Sequence, residues 1–152
     1  MTLPNVSGTL KHPQVVVDAS VWASILMTND WNHEASLSWW RVYTTAGGAI
    51  VAPEILLVEV ASALGRQTKQ VAFTQEAVDY LYHISQVQFI PVSITLLLDA
   101  ADLAARFSLR GADAIYVATA HQKALPLVSW DQEQLTRATV LFGTYTPATF
   151  TY

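Results

Sequence analysis

Asp18, Glu59, Asp113 and Asp131 are the residues of this chain whose type and setting suit chemistry. Asp18 closes VVVD, Glu59 lies in EILLVEVASALGR, Asp113 in RGADAIYVATA and Asp131 in LVSWD. Asp113 is the only acid in a stretch of small and apolar residues, where a carboxylate is costly unless something compensates it. Two carboxylates about 4 Å apart repel by roughly 4 kcal/mol at an effective dielectric near 20. Against a typical total stability of roughly 5–15 kcal/mol, four converging acids make poor architecture on their own. A divalent cation reverses the sign, and a donor set made only of oxygen points to Mg²⁺ or Mn²⁺. The histidines, His12, His33, His83 and His121, show no paired spacing, and HEASL lacks the second histidine of an HExxH zinc motif.

The elements that must carry these acids alternate in period. Val15 to Val17 form a β-branched run, the pattern of a strand buried on both faces. SVWASILM and NHEASLSWWRVYTTA read as helices, the second ended by Gly47 and Gly48. Ala49 to Ala52 predict a second strand, and Pro53 stands where a helix accepts its first residue, ahead of EILLVEVASALGR. Thr74 is in place to cap QEAVDYLYHISQ, and Gln88 to Pro91 return to strand. ITLLLDAADLAARFSL and ADAIYVATAHQKA are two more helices with Gly111 breaking between them. Leu125 to Ser129 and Thr139 to Phe142 supply the last two strands, around a helix DQEQLTR. The tail GTYTPATFTY is short and rich in threonine, and its pattern assigns no element.

Alternating strands and helices predict an α/β fold, a parallel sheet with helices on both faces. Ligands bind such sheets outside the carboxyl ends of the strands. Asp18 directly follows the first strand and Asp131 comes shortly after the fourth, so both belong to that rim. Asp113 falls in the first turn of its helix, where the helix end favours a negative charge. Glu59 is mid-helix, with Ser62, Ala63 and Arg66 on its face and room before the carboxylate.

A length of 152 residues suits one domain, with residues 1–14 a polar N-terminal extension, 15–146 the domain and 147–152 a tail. The absence of cysteine excludes disulfides and thiolate zinc sites and suits a reducing cytoplasm. No apolar run approaches the roughly 20 residues of a membrane-spanning helix, and MTLPNVSGTLKHPQ has no signal-peptide core. Hydrophobic residues make up 52% of the chain and charged ones 13%, which leaves apolar surface for a protein partner and favours a homodimer. A net charge of −4 runs against nucleic-acid binding on average, although eight basic residues suffice to line one rim.

VVVDAS, the glutamate of VEVASAL, RGADAIYVATA and LVSWD, in that order, resemble the four acidic motifs of PIN-domain nucleases, from Val15 to about Phe142. In size the chain is similar to the VapC-type toxins of toxin–antitoxin pairs. The resemblance implies a PIN-like three-layer α/β/α sandwich with a short, mostly parallel central sheet. It implies a metal-dependent ribonuclease whose metal-activated water hydrolyses RNA, leaving a 5′-phosphate and a 3′-hydroxyl, and an antitoxin partner that covers the groove. Asp18, Glu59 and Asp113 match the core acids and Asp131 the fourth. Ser20 matches a hydroxyl two residues after the first acid, and Ser129 one two residues before the last. Arg66, Lys69 and Arg110 are candidate phosphate contacts.

Each choice has a plainer rival. Asp18 and Ser20 suit helix capping, Asp113 the helix dipole, Glu59 an ion pair with Arg66, and Asp131 a turn opening a short helix. In the WW pair both rings cannot point inward, so one is expected to face a partner. A catalytically silent PIN-like interaction domain is the alternative function. An aspartate-based phosphoryl-transfer domain would want a second acid close to Asp18, and DAS offers none.

Overall fold

The computed structural model describes residues 9–152, so most of the extension expected over residues 1–14 lies outside the described residues. The element order is β1 (Gln14–Val17), α1 (Ala19–Leu26), α2 (His33–Thr45), β2 (Ala49–Pro53), α3 (Ile55–Thr68) and α4 (Val71–His83). It continues with β3 (Val87–Ile90), α5 (Ile94–Phe107), α6 (Gly111–Lys123), β4 (Leu127–Val128), α7 (Gln132–Ala138) and β5 (Thr144–Tyr145). The sheet runs β3-β2-β1-β4-β5, and every neighbouring pair is parallel. β1 is the central strand, and Val15, Val16 and Val17 are fully buried, as a β-branched run covered on both faces should be. Helices α1 to α4 pack on one another, while α5 packs on α6 and α6 lies across β1, β2 and β4. The α/β/α sandwich expected from the pattern and the resemblance is the observed architecture.

The sheet positions α6 so closely that Ala114 to Ala120 are all buried, an all-round burial that small residues permit. Its first turn, with Asp113, is thereby fixed at the carboxyl ends of the strands. Gly47 adopts φ +90° just after α2, a left-handed conformation that favours glycine. The next residue, Gly48, lies against the ring of Tyr43, which leaves no space for a Cβ.

Several boundaries differ from the sequence expectations. Pro53 ends β2 instead of opening α3. Ile50 and Glu54 donate toward β3, so by the two-residue period the Pro53 nitrogen faces the side where pairing with β1 has stopped at Val51. Thr74 is inside α4, its hydroxyl donating to Gln70 O at 3.0 Å, because Lys69 in the left-handed region turns the chain early. Ser108, also left-handed, ends α5, and Gly111 is the first residue of α6. Thr139 to Phe142 form a turn after α7, and the fifth strand is Thr144–Tyr145, where Leu127 N and Ser129 N reach Gly143 O and Tyr145 O. β-Branched composition read as strand, but only a chain that has turned can lie beside β4. Both tryptophans of the WW pair are in packing: Trp39 stacks on Tyr43 at 5.3 Å, and Trp40 covers Trp22 at 5.0 Å. The fully exposed tryptophan is Trp31.

The tail joins the core. Phe150 is buried among Trp39, Tyr43 and Tyr145, with ring centroids 5.8, 5.4 and 5.3 Å away. Phe150→Ala is therefore expected to cost roughly 3 kcal/mol in urea denaturation, as buried aromatic truncations do, while Trp31→Ala leaves the midpoint unchanged. Equal midpoints for Phe150→Ala and the parent would show that the tail does not hold the fold.

Candidate active site

Asp18 follows β1, caps α1 and is buried. Its Oδ1 accepts from the Ser20 backbone N–H at 3.1 Å and the Ser20 hydroxyl at 2.6 Å. Its Oδ2 accepts from the Ser129 hydroxyl at 2.5 Å. Burial pushes the carboxyl up to about 6, against the pull of these donors. Capping α1 therefore does not exhaust the contacts of Asp18, since Ser129 binds the oxygen that the cap leaves over.

The same hydroxyls tie down the loop after β4. Trp130 N donates to Ser20 Oγ at 2.9 Å and Asp131 N to Ser129 Oγ at 2.9 Å. The Trp130 indole donates to Ser36 Oγ at 2.8 Å, and Ser36 meets Ser24 Oγ at 2.6 Å. His33 Nδ1 lies 2.9 Å from Ser24 O, which places this histidine in the support of the loop. Asp131 caps α7 by accepting from Gln134 N at 3.0 Å, and its other oxygen is 3.9 Å from Arg110.

Asp113 and Glu59 complete the set. Burial, then the charge of Asp131, then those of Glu59 and Glu133, push the Asp113 carboxyl up to about 6, with Arg110 opposing. Glu59, partly buried on α3, faces Tyr116, and Asp18 acts on the same phenol. Asp113 thus senses Asp131 and Glu59, and Tyr116 senses Glu59 and Asp18, so four different elements or loops deliver the acids to one neighbourhood. Sequence reasoning missed two members. Glu133 lies 3.1 Å from Arg110 and adds a fifth charge near Asp113. Tyr116 stands one helical turn after Asp113, a spacing that would have pointed to it.

The basic candidates divide. Arg110, on an exposed side chain, bridges Asp131 and Glu133 at the rim. Arg66 donates to the Ser62 hydroxyl, and Lys69 caps the end of α3. At 1.5 Å of rise per residue, Arg66 and Lys69 sit about 10–15 Å beyond Glu59 along the helix.

The candidate ligands Asp18, Glu59, Asp113 and Asp131 offer only carboxyl oxygens, which suits a hard divalent cation. As the side chains stand, no three His, Asp or Glu residues among the described residues are close enough to hold a metal ion. The acids fit such an ion in donor type and charge, and burial, which raises Asp18 and Asp113, is a cost that a nearby positive charge would offset.

Folded-state values raised from 3.8 to about 6 mean that the fold binds these protons more tightly than the unfolded chain. The contribution of Asp18 and Asp113 to stability therefore rises as pH falls through about 6 and is least at neutral pH and above. Ser129→Ala removes a donor from ionised, buried Asp18, with an expected loss of about 2 kcal/mol at pH 7.5 and a smaller one at pH 5. Urea melts at both pH values check this; equal losses would mean that Ser129 does not hold an ionised Asp18.

Comparisons with known proteins bear on the fold and the family. Among solved structures, the chain is similar to the VapC20 toxin of Mycobacterium tuberculosis, described as a sarcin–ricin loop cleaving toxin, with a TM-score of 0.70 and 18% identity over 79% of this chain and 92% of that one. It is similar to VapBC2 of Rickettsia felis bound to a promoter DNA fragment, with a TM-score of 0.67 and 12% identity over 88% of this chain and 98% of that one. FitAcB of Neisseria gonorrhoeae gives a TM-score of 0.65 and 14% identity over 88% of this chain and 97% of that one. No curated protein sequence matches the chain. The PIN domain family matches residues 15–140, the span from β1 through α7 that carries all four acids, and the chain belongs to that family.

Proposed function

We propose that this protein is a Mg²⁺- or Mn²⁺-dependent endoribonuclease that hydrolyses RNA phosphodiester bonds and serves as the toxin of a toxin–antitoxin pair. The observation that carries the proposal is the electrostatic grouping of Asp18, Glu59, Asp113 and Asp131 at the carboxyl ends of the strands. A bound divalent ion would supply an activated water and neutralise charge at the phosphodiester. Asp18, Glu59, Asp113 and Asp131 would hold it. The Ser20 and Ser129 hydroxyls fix the Asp18 carboxylate and so orient both of its oxygens. Arg110 is exposed beside the acids and suits a backbone phosphate, while Arg66 and Lys69 extend a basic track along α3. A protein that cleaves a sarcin–ricin loop among the similar structures supports an RNA substrate. The VapBC2 and FitAcB relatives support an antitoxin partner. Ile94, Leu97 and Leu98 expose apolar surface on α5, which supports a homodimer. No helix among the described residues is long and apolar enough to cross a membrane, in keeping with a cytoplasmic role.

A silent interaction domain draws support from two features: Arg110 already lies 3.9 Å from Asp131, and no three acids among the described residues stand at metal-holding distance. Cleavage separates the two readings. The purified protein is expected to cut RNA with Mn²⁺ or Mg²⁺ and to stop in EDTA. Asp18→Asn and Asp113→Asn are each expected to lose more than about 100-fold, beyond the usual cost of removing an outer-shell partner, with Asp131→Asn keeping some activity. Cleavage that persists in excess chelator overturns the metal reading.

Stability gives an independent readout. Asp113→Asn relieves repulsion and is expected to melt higher than the parent in EDTA. Mn²⁺ at about 100 times its dissociation constant should stabilise the parent by roughly 2.7 kcal/mol and the variant less. A lower melt in EDTA with no metal shift in either protein would leave Asp113 as a helix-end acid only. Light scattering should show a dimer, and a monomer at high concentration overturns that part.

A further inference from the structure

Tyr116 is 1% exposed, and no group among the described residues makes a well-formed hydrogen bond to its hydroxyl, although the Glu59 carboxylate and the Ala19 backbone both lie near it. A phenylalanine would fill the same space without leaving a buried polar atom unsatisfied, so packing does not account for the oxygen. The hydroxyl lies beside the acid cluster: the Glu59 carboxylate is within its reach, and the charges of Glu59 and Asp18 both act on the phenol. The three-residue spacing puts Tyr116 under Asp113 on the same side of α6. A phenol donates one O–H at neutral pH, which is what a carboxylate needs.

The acids differ in how they are held. Asp18 is gripped by Ser20 and Ser129, and Asp131 by Gln134 N. Glu59 has the longest of these side chains, and its one side-chain partner among the described residues is the neighbouring Tyr116 hydroxyl. A flexible carboxylate that lacks an anchor makes a poor ligand, because binding must also freeze its rotamers. The donor that would freeze it is already in place.

We propose that Tyr116 is the positioning residue for Glu59: its hydroxyl closes onto one oxygen of the Glu59 carboxylate and leaves the other turned toward a divalent cation. This rests on the metal-dependent reading of the acid cluster given above.

The test is Tyr116→Phe, with Mn²⁺ binding measured from the electron paramagnetic resonance signal of free Mn²⁺ and melting measured in EDTA. The expected result is binding about tenfold weaker than the parent, the lower end of what outer-shell partners cost, with a melting temperature in EDTA equal to the parent's or higher. Unchanged Mn²⁺ affinity in Tyr116→Phe overturns the positioning role while leaving the nuclease reading intact. A lower melt in EDTA with unchanged affinity assigns Tyr116 to packing and overturns it as well. A parent that binds no Mn²⁺ overturns the metal reading and this inference together.

Discussion

Asp18 is a carboxylate buried at the end of the central strand, and the rest of the site is arranged around keeping it there. An ionised carboxyl removed from water is held only if donors replace the water. Here the replacements are two serine hydroxyls that are distant in sequence, Ser20 from α1 and Ser129 from the end of β4. Ser129 reaches Asp18 because β4 pairs with β1 in the register Val17 to Val128. The β1–β4 pairing is thus the step that turns a lone acid into part of a site.

The consequences spread outward through hydrogen bonds. Each serine accepts a backbone N–H from the loop that follows β4, so the loop carrying Asp131 is held by the same hydroxyls that satisfy Asp18. Trp130 extends the hold to Ser36 on α2, and Ser24 and His33 continue it beneath. Loss of one hydroxyl would disturb both acids at once. From the opposite side of the sheet, α6 brings Asp113 and Tyr116, its tight burial fixing where its first turn ends up.

Much of this arrangement was legible in residue patterns. The β-branched run before Asp18, the helical periods and their alternation with strands implied the parallel sheet, and the acidic motifs in order implied the family. Those signals are local, arising from the two periodicities of strand and helix and from acids set in apolar surroundings. Pro53, Thr74 and Thr139 to Phe142 were misplaced because residue preference there yields to register and turn position. One ring of the Trp39–Trp40 pair was expected to face a partner; Trp39 stacks on Tyr43 and Trp40 covers Trp22, since a ring at the edge of a buried face can lean onto a neighbouring helix.

The order of the acids, the oxygen-only donor set and the fold class were determined by the chain as written, because each depends on residue type and short-range spacing. Glu133 as a fifth charge, Arg110 as its counterweight and the unpartnered Tyr116 hydroxyl were decided only by tertiary structure. Glu133 and Arg110 meet across 23 positions, and Tyr116 faces a glutamate on another helix. Distances between elements far apart in sequence are set by how the helices pack on the sheet, and no local pattern carries that information.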